Sequence, residues 1–202
     1  MPSLVIASPS RGDDAVRQLR TCLALAKASG RVVAFLEPIA LYMQKDLHEP
    51  NDGQWQFLYP KPDELMPIGT GRCYGESDND DLVIVSYANG LWMSLRAQKR
   101  LAQQGIKARV FDLRWLMPMP IEEVKRHAKA TGRVLIVDDH PMVAEGIQSI
   151  LESYSDIEVV GAVSGGRDAI GAAGVLAPSE GAARPRDVLV GVQDLDRICG
   201  DG

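Results

Sequence analysis

The sequence predicts an α/β protein with a mainly parallel sheet and flanking helices, and two observations predict this fold class. Short apolar runs alternate with amphipathic stretches of helical spacing along most of the chain. The apolar runs also lack a regular polar alternation, as expected for strands that are covered on both faces. Strands that alternate with helices in this way are typical of right-handed crossovers and parallel sheets.

Residues 1–42 are expected to form a strand–helix–strand unit. Ser10 is a candidate cap for the helix, and Asp13 and Asp14 favour the positive end of the helix dipole. Gly30 then ends the helical pattern. The three elements are predicted at residues 4–7, 15–29 and 31–36.

Residues 43–80 are rich in Pro, Gly, Asp and Asn and have little helical periodicity. This composition predicts a long excursion that links the first unit to the rest of the chain. One short strand is predicted at 56–59. The aromatic side chains Trp55, Phe57 and Tyr59 are expected to pack this segment against a surface.

Residues 81–202 are expected to form the main sheet and its helices. Asn89 and Gly90 are expected to make the turn after the first strand. The pattern fades after Gly161, and the last residues are expected to be poorly ordered. Strands are predicted at 82–87, 108–112, 134–137, 157–160 and 188–190, and helices at 91–104, 121–130 and 142–154.

Composition and charge narrow the function classes. Hydrophobic residues make up 46% of the 202-residue chain and charged residues 24%, which is typical of a globular protein. The formal net charge of -5 and the lack of a basic stripe argue against a nucleic-acid partner. No apolar run approaches the roughly 18 residues of a membrane span, and no secretory signal is recognisable. These observations predict a cytoplasmic protein without membrane contact.

The cysteines and histidines give no metal motif. Cys22, Cys73 and Cys199 are far apart, and no CxxC spacing exists, so a zinc site is not predicted. Three histidines, at positions 48, 127 and 140, are equally scattered. Each is expected on the surface or in a loop.

Several linked segments resemble a known family. Residues 82–90 (LVIVSYANG), 108–120 (ARVFDLRWLMPMP) and 132–139 (GRVLIVDD) resemble the C-terminal domain of the transketolase-like superfamily. The beta chain of the decarboxylating component of 2-oxo acid dehydrogenases, of pyruvate or branched-chain type, is the most similar member. Residues 3–42 likewise resemble the end of the pyrimidine-binding domain that precedes this domain in the family.

The resemblance implies a domain organisation and a cofactor. Residues 1–42 would end a pyrimidine-binding domain, 43–80 would be a linker, and 81–202 would be the transketolase C-terminal-like domain. The family uses thiamine diphosphate and Mg, which a partner or another domain is expected to hold. Glu37 does not match the family's cofactor-activating glutamate, so no catalytic and no cofactor-binding residue is assigned to this chain.

The resemblance also implies an assembly role. The family's C-terminal domain supports the cofactor-binding domains, forms subunit contacts and offers a docking surface to the acyltransferase core. An alpha-type subunit and that core are therefore the expected partners of an oligomeric protein that is inactive alone. Asp112 and Arg114 either hold a loop near a subunit interface or form a local salt bridge at a strand end.

A second resemblance covers residues 134–170, which are similar to the start of a response-regulator receiver domain. In that family an acid pair after the first strand binds Mg, and Asp138 and Asp139 match this pair. The phosphate-accepting aspartate has no matching position, since Asp194 is displaced from the end of its strand. Residues 134–202 could then be a truncated receiver module, and an acid-labile phosphate adduct formed from acetyl phosphate would test this.

The sequence therefore supports a leading hypothesis and one alternative. The leading hypothesis is a partial beta-type subunit of a thiamine diphosphate-dependent 2-oxo acid dehydrogenase that contributes assembly contacts. The alternative is a dehydrogenase fragment fused to a truncated receiver module for phosphorelay signalling. In the alternative alone, Asp138 and Asp139 would be metal ligands.

Overall fold

The structure is a computed structural model that describes residues 4–138, 141–153, 159–163, 170–172 and 190–191. The strands are β1 (Leu4–Ala7), β2 (Val32–Phe35), β3 (Arg72–Tyr74), β4 (Leu82–Ser86), β5 (Ala108–Asp112), β6 (Trp115–Met117), β7 (Val134–Val137), β8 (Val159–Val163) and β9 (Val190–Gly191). The helices are α1 (Gly12–Ser29), α2 (Ala88–Gln103), α3 (Ile121–Thr131) and α4 (Pro141–Glu152). The tail expected to be poorly ordered lies mostly outside the described residues.

A six-stranded sheet forms the centre of the molecule, with the strand order β3-β5-β4-β7-β8-β9. All neighbouring strands are parallel except β3, which pairs antiparallel with β5 at one edge. Every residue of β4, β5 and β7 is buried, because α2 covers one face while α3 and α4 cover the other. The predicted α/β fold with a mainly parallel sheet and flanking helices is confirmed.

A second sheet of three strands has the order β2-β1-β6. The predicted strand–helix–strand unit supplies β1, α1 and β2, and β1 and β2 are parallel. The third strand, β6, follows β5 in the chain and pairs antiparallel with β1. Trp115 of β6 is fully buried against the apolar face of α1, so the main domain contributes both a strand and a core side chain to the first unit.

The segment 43–80 packs against both units of the chain, because residues 60–66 contact α1 whereas Trp55 and β3 contact the main domain. Trp55 is buried in the core beneath α2, and Phe57 meets its ring edge-on at 5.3 Å between centroids. The indole Nε1 of Trp92 in α2 donates to the carbonyl oxygen of Asp46 at 3.0 Å. The strand predicted at 56–59 is wrong, whereas β3 forms later in the segment by pairing with β5.

Three local expectations are corrected by the structure. Ser10 does not cap α1, because its hydroxyl donates to Asp112 and Arg11 occupies the cap position without a side-chain hydrogen bond. Asn89 and Gly90 lie inside α2 rather than in a turn before it. His127 is completely buried in α3, although its position was expected on a surface. No helix of the described residues has the length and hydropathy of a membrane span.

Candidate functional site

Asp138 lies at the carboxyl end of β7, where the chain leaves the central sheet. The hydroxyl of Tyr87, the residue before α2, donates to its Oδ2 at 2.7 Å, and Asp138 is almost completely buried. Asp139 lies outside the described residues, and so does Asp194. The pair of metal ligands expected for a receiver module therefore stays a prediction, and the structure places one of the two, Asp138, at a polar strand end.

The crevice between β4 and β7 at this edge is closed by packing. Ser86 donates its hydroxyl to the carbonyl oxygen of Val137 at 2.6 Å. A Cβ on Gly90 would lie 1.9 Å from Ser86 Oγ and 2.9 Å from that carbonyl oxygen. Gly90 is therefore required because the first turn of α2 sits directly on the two strand ends, and the crevice has no room for a ligand at this point.

The start of α1 also does not fit a diphosphate. Helix N-termini bind phosphate through free amide groups and the helix dipole. Asp13 and Asp14 in the first turn of α1 are both buried, so carboxylates already occupy the positive end of this helix. A thiamine diphosphate would meet negative charge here, and we derive no catalytic step through this cofactor.

The strongest polar constellation lies between the two sheets. Arg114 Nη2 donates to Asp14 Oδ2 at 2.7 Å, and both side chains are buried. Arg72 and Arg17 approach the other oxygen of the same carboxylate at 3.4 and 3.5 Å. Three guanidinium groups thus surround one buried carboxylate at the start of α1, and they come from both units of the chain. We call Ser10, Asp14, Gln18, Asp112 and Arg114 the junction network.

The backbone of Arg114 contributes as much as its side chain. Its φ of 59° lies in the left-handed region, which a residue with a side chain rarely adopts. In this conformation its carbonyl oxygen accepts hydrogen bonds from Gln18 Nε2 and from the backbone N–H of Ser8, both at 2.8 Å. The turn between β5 and β6 is therefore fixed to α1 and to the end of β1.

Asp112 is the second buried carboxyl group of the junction network. Ser10 donates its hydroxyl to Oδ1 at 2.9 Å, and the backbone N–H of Arg114 donates to the same oxygen at 3.2 Å. Among the described residues Oδ2 has no hydrogen-bond partner. Complete burial raises the pKa of Asp112 to about 7, against the lowering influence of Arg114 and the Ser10 hydrogen bond. The prediction of a local salt bridge between Asp112 and Arg114 is wrong, because Arg114 pairs with Asp14 of the first unit.

The first unit carries an exposed apolar surface on the side of its sheet away from α1. Leu4 of β1 pairs with Val32 of β2, and Ile6 pairs with Ala34 and Met117. Val32 is 66% exposed and Leu4 39%. We call these five residues the outer face, since the alternate residues of the same strands face the core under α1.

The outer face belongs to a wider asymmetry of the molecule. Among the described residues, eleven of the thirteen exposed large apolar side chains precede residue 66. In the described part of the main domain, only Met117 and Ile150 belong to this class. The eleven are Leu4, Leu19, Leu23, Val32, Leu36, Ile39, Tyr42, Met43, Leu58, Tyr59 and Leu65. Leu19 and Leu23 lie on α1, on the other side of the sheet, so the outer face rather than the whole set is the contiguous apolar patch that marks an interaction site.

Sequence reasoning found part of this arrangement. It singled out Asp112 and Arg114, and it noted Asp13 and Asp14 only as charges favourable to a helix dipole. It missed Gln18 and Arg72, because neither stands in a recognisable motif. The sequence does carry one signal for the contact between Asp14 and Arg114. Two consecutive acids at the start of a helix supply more negative charge than the helix dipole alone accounts for.

Comparisons with known proteins agree with this architecture. Residues 71–175 match the family described as the transketolase C-terminal domain. The pyruvate dehydrogenase E1 component subunit beta of Rhizobium meliloti is 29% identical over 150 residues, which are 73% of this chain and 29% of that protein. The 2-oxoisovalerate dehydrogenase subunit beta of Bacillus subtilis is 30% identical over 138 residues, which are 68% of this chain and 37% of that protein.

The solved structures show a similar fold. A split-gene transketolase, determined as an inactive beta4 tetramer, superposes with a TM-score of 0.58 at 20% identity, over 87% of this chain and 58% of that one. The chain spans well under half the length of the two curated relatives named above. The family match nevertheless covers more than half of the chain itself. The chain therefore belongs to the transketolase C-terminal domain family and is similar to the beta subunits of 2-oxo acid dehydrogenases.

Proposed function

We propose that the chain is a partial beta-type subunit of a thiamine diphosphate-dependent 2-oxo acid dehydrogenase of pyruvate or branched-chain type. In this proposal it contributes subunit assembly rather than catalytic residues. It works in the cytoplasm with an alpha-type subunit and an acyltransferase core. The names of the relatives support the reaction class, and the outer face supports the assembly role.

The outer face is the observation that carries the proposal. Val32 and Leu4 stand on neighbouring strands in direct register, so their exposed side chains form a continuous patch. Burial of such a patch contributes about 25 cal/mol for each Å² of apolar surface removed from water. A subunit that covers the outer face would thus gain affinity from the burial of apolar surface that the isolated chain exposes to water.

The cofactor in this proposal is held elsewhere. Thiamine diphosphate supplies the carbanion-stabilising chemistry of decarboxylation, and the protein must bind and orient it. The described residues offer buried carboxylates at the start of α1 and tight packing at the start of α2. Both features are unfavourable to a diphosphate, so thiamine diphosphate and Mg are assigned to a partner or another domain.

Self-association is the first test of the proposed assembly role. We expect sedimentation velocity at micromolar concentration to show a discrete oligomer. Val32→Lys should raise the dissociation constant of this oligomer at least about tenfold, because the contact must remove the lysine on the outer face from water. Ile150→Lys is the matched control, since Ile150 is also exposed, at 42%, but lies on α4 of the main domain.

Two kinds of result would contradict the assembly role. An unchanged dissociation constant in Val32→Lys, or an equal loss in both variants, would show that the outer face makes no specific contact. A monomeric chain, or a polydisperse aggregate in place of an oligomer, would argue against self-assembly through the outer face.

Calorimetry tests the placement of the cofactor. We expect no heat of binding when thiamine diphosphate and Mg are titrated into the isolated chain. Binding with a dissociation constant in the micromolar range would contradict the proposal, because the chain would then contain a cofactor site. Addition of an alpha-type subunit should restore binding if the site is assembled between the two proteins.

A further inference from the structure

The strand β2 forms an open edge of the smaller sheet. The strand order is β2-β1-β6, and within the described residues no strand pairs with the far side of β2. The opposite edge, β6, runs directly into Pro118, which has no N–H to donate. By contrast β2 contains no proline, charged residue or bulge, which are the usual protections of an edge against pairing with another chain.

The outward-facing backbone groups of this edge belong to Val33 and Phe35. The backbone N–H of Leu36 donates to the carbonyl oxygen of Ala7 at 2.9 Å, so Leu36 turns its backbone towards β1. Successive residues of a strand direct their backbone groups to opposite sides. Ala34 therefore also faces β1, whereas the N–H and C=O groups of Val33 and Phe35 point away from the sheet.

A second copy of the chain fits this edge in an antiparallel arrangement. A two-fold axis at Ala34 places Val33 of one copy opposite Phe35 of the other, so that these two residues exchange both N–H···O=C hydrogen bonds. Ala34 then stands opposite itself, in a pair without hydrogen bonds. The arrangement satisfies every outward-facing backbone group of β2.

The side chains around β2 match in the same arrangement. On the outer-face side of the sheet, Val32 meets Leu36 of the second copy, and these side chains are 66% and 45% exposed in the single chain. Arg31 precedes β2 and stands opposite Glu37 of the second copy, so an ion pair closes each end of the paired strands. The hydroxyl of Tyr42 donates to Glu37 and helps to hold this carboxylate beside the strand end.

Charge selects this register over its neighbours. The outward-facing backbone groups also permit a two-fold axis at Val33 or at Phe35. These axes would place Arg31 opposite Phe35 or Ile39, so the guanidinium would face an apolar side chain in either case. Only the axis at Ala34 sets opposite charges against each other.

We propose that two copies of this chain pair antiparallel through their β2 strands, with the two-fold axis at Ala34, and form one continuous sheet. The inference rests on the assembly role proposed above and assigns the contact that carries self-association. The two outer faces then lie side by side and form one larger apolar surface.

Cysteine crosslinking tests the register on the complete chain. Opposite residues in a pair without hydrogen bonds have Cα atoms about 4.5 Å apart, a distance that permits a disulfide. We expect Ala34→Cys to form a disulfide-linked dimer on mild oxidation, above the background of the unchanged chain. Val32→Cys is the matched control, because it also lies on the outer face but is about 13 Å from its own copy along the paired strands.

Charge reversal tests the ends of the paired strands. Arg31→Glu and Glu37→Arg should each raise the dissociation constant of the dimer by about threefold to tenfold, because like charges then stand opposite each other at both ends. A chain with both substitutions restores the ion pairs in reverse order and should regain the affinity. Arg100→Glu, an exposed position on α2, makes the same charge change as the control and should have no effect.

A proline tests the backbone pairing directly. Val33→Pro removes an outward-facing N–H and leaves the hydrogen bonds to β1 in place, so the dimer should be lost at micromolar concentration. Val33→Ala keeps the N–H and should retain the dimer. Circular dichroism shows whether each variant remains folded.

The outcomes separate this pairing from the assembly role. Equal crosslinking of the Ala34 and Val32 variants, or no recovery in the double charge reversal, would overturn the pairing through β2. An oligomer that responds to Val32→Lys but to none of the edge variants would also overturn it, and would leave the outer face as the contact. An unchanged chain that stays monomeric would contradict the assembly role itself.

Discussion

Arg114→Gln is expected to lower the free energy of unfolding by about 3–5 kcal/mol, the usual loss when one partner of a buried ion pair is removed. The substitution leaves Asp14 buried with only the longer approaches of Arg72 and Arg17. Glutamine retains the left-handed backbone of the turn, so the effect reports the lost charge and hydrogen bond. Equilibrium denaturation in urea measures it.

Arg17→Gln is the matched control for this experiment. Arg17 also pairs with acidic residues at the start of α1, but its side chain is 23% exposed. Ion pairs with access to water contribute about 0–1 kcal/mol, so the loss should be small. Equal losses in the two variants would contradict the central role of the Arg114–Asp14 pair.

Asp112→Asn is expected to remove a pH-dependent destabilisation of the fold. The carboxyl group of Asp112 has a pKa of about 7 in the folded chain, well above its ordinary value of 3.8. Between these values the folded state binds a proton that the unfolded state has lost. Stability from this group therefore falls as pH rises from about 4 to 7, and the penalty is complete above pH 7.

The size of the effect follows from the pKa difference. One unit corresponds to about 1.4 kcal/mol, so the penalty at neutral pH is at most roughly 4 kcal/mol. Asparagine keeps an oxygen for Ser10 and carries no charge, so the variant should gain stability over the unchanged chain near pH 7.5 but not near pH 4. Urea denaturation at both pH values gives the difference in free energy of unfolding between the variant and the unchanged chain. The contributions of the other acidic residues are the same in both proteins and cancel in this difference.

Two results would contradict this assignment. A stability difference that does not vary with pH would show that Asp112 has the same pKa in both states. A larger gain at pH 4 than at pH 7.5 would mean that the folded state lowers the pKa instead.

The strands of the central sheet were predictable because their burial leaves a local mark. β4 and β7 are almost entirely apolar and β5 has an apolar centre, and each of the three is predicted within a residue of its observed bounds. Gly30 and Gly132 end their helices in the left-handed conformation, and Gly30 had marked the end of the first helix in the sequence. Elements that are defined by their own composition can thus be predicted from the sequence.

The elements that depend on distant partners could not be predicted. β3 and β6 each have three residues and exist only because β5 and β1 bind them. His127 gives no sign of burial in the sequence, since its partners Arg109 and Glu76 stand on other elements. The pairing of Asp14 with Arg114 spans 100 positions and has the same limitation. Long-range pairing is therefore the part of this fold that composition and spacing leave open.

The position of β6 has a consequence for how the protein can be divided. A cut just before residues 71–175, which match the family, would remove the strand partner of β6 and uncover the indole of Trp115. Each half would gain an unpaired strand edge, which is the usual starting point of aggregation. The boundary of the family match is therefore not a position at which this chain can be divided into two folded parts. Experiments on either part alone would describe a disrupted fold.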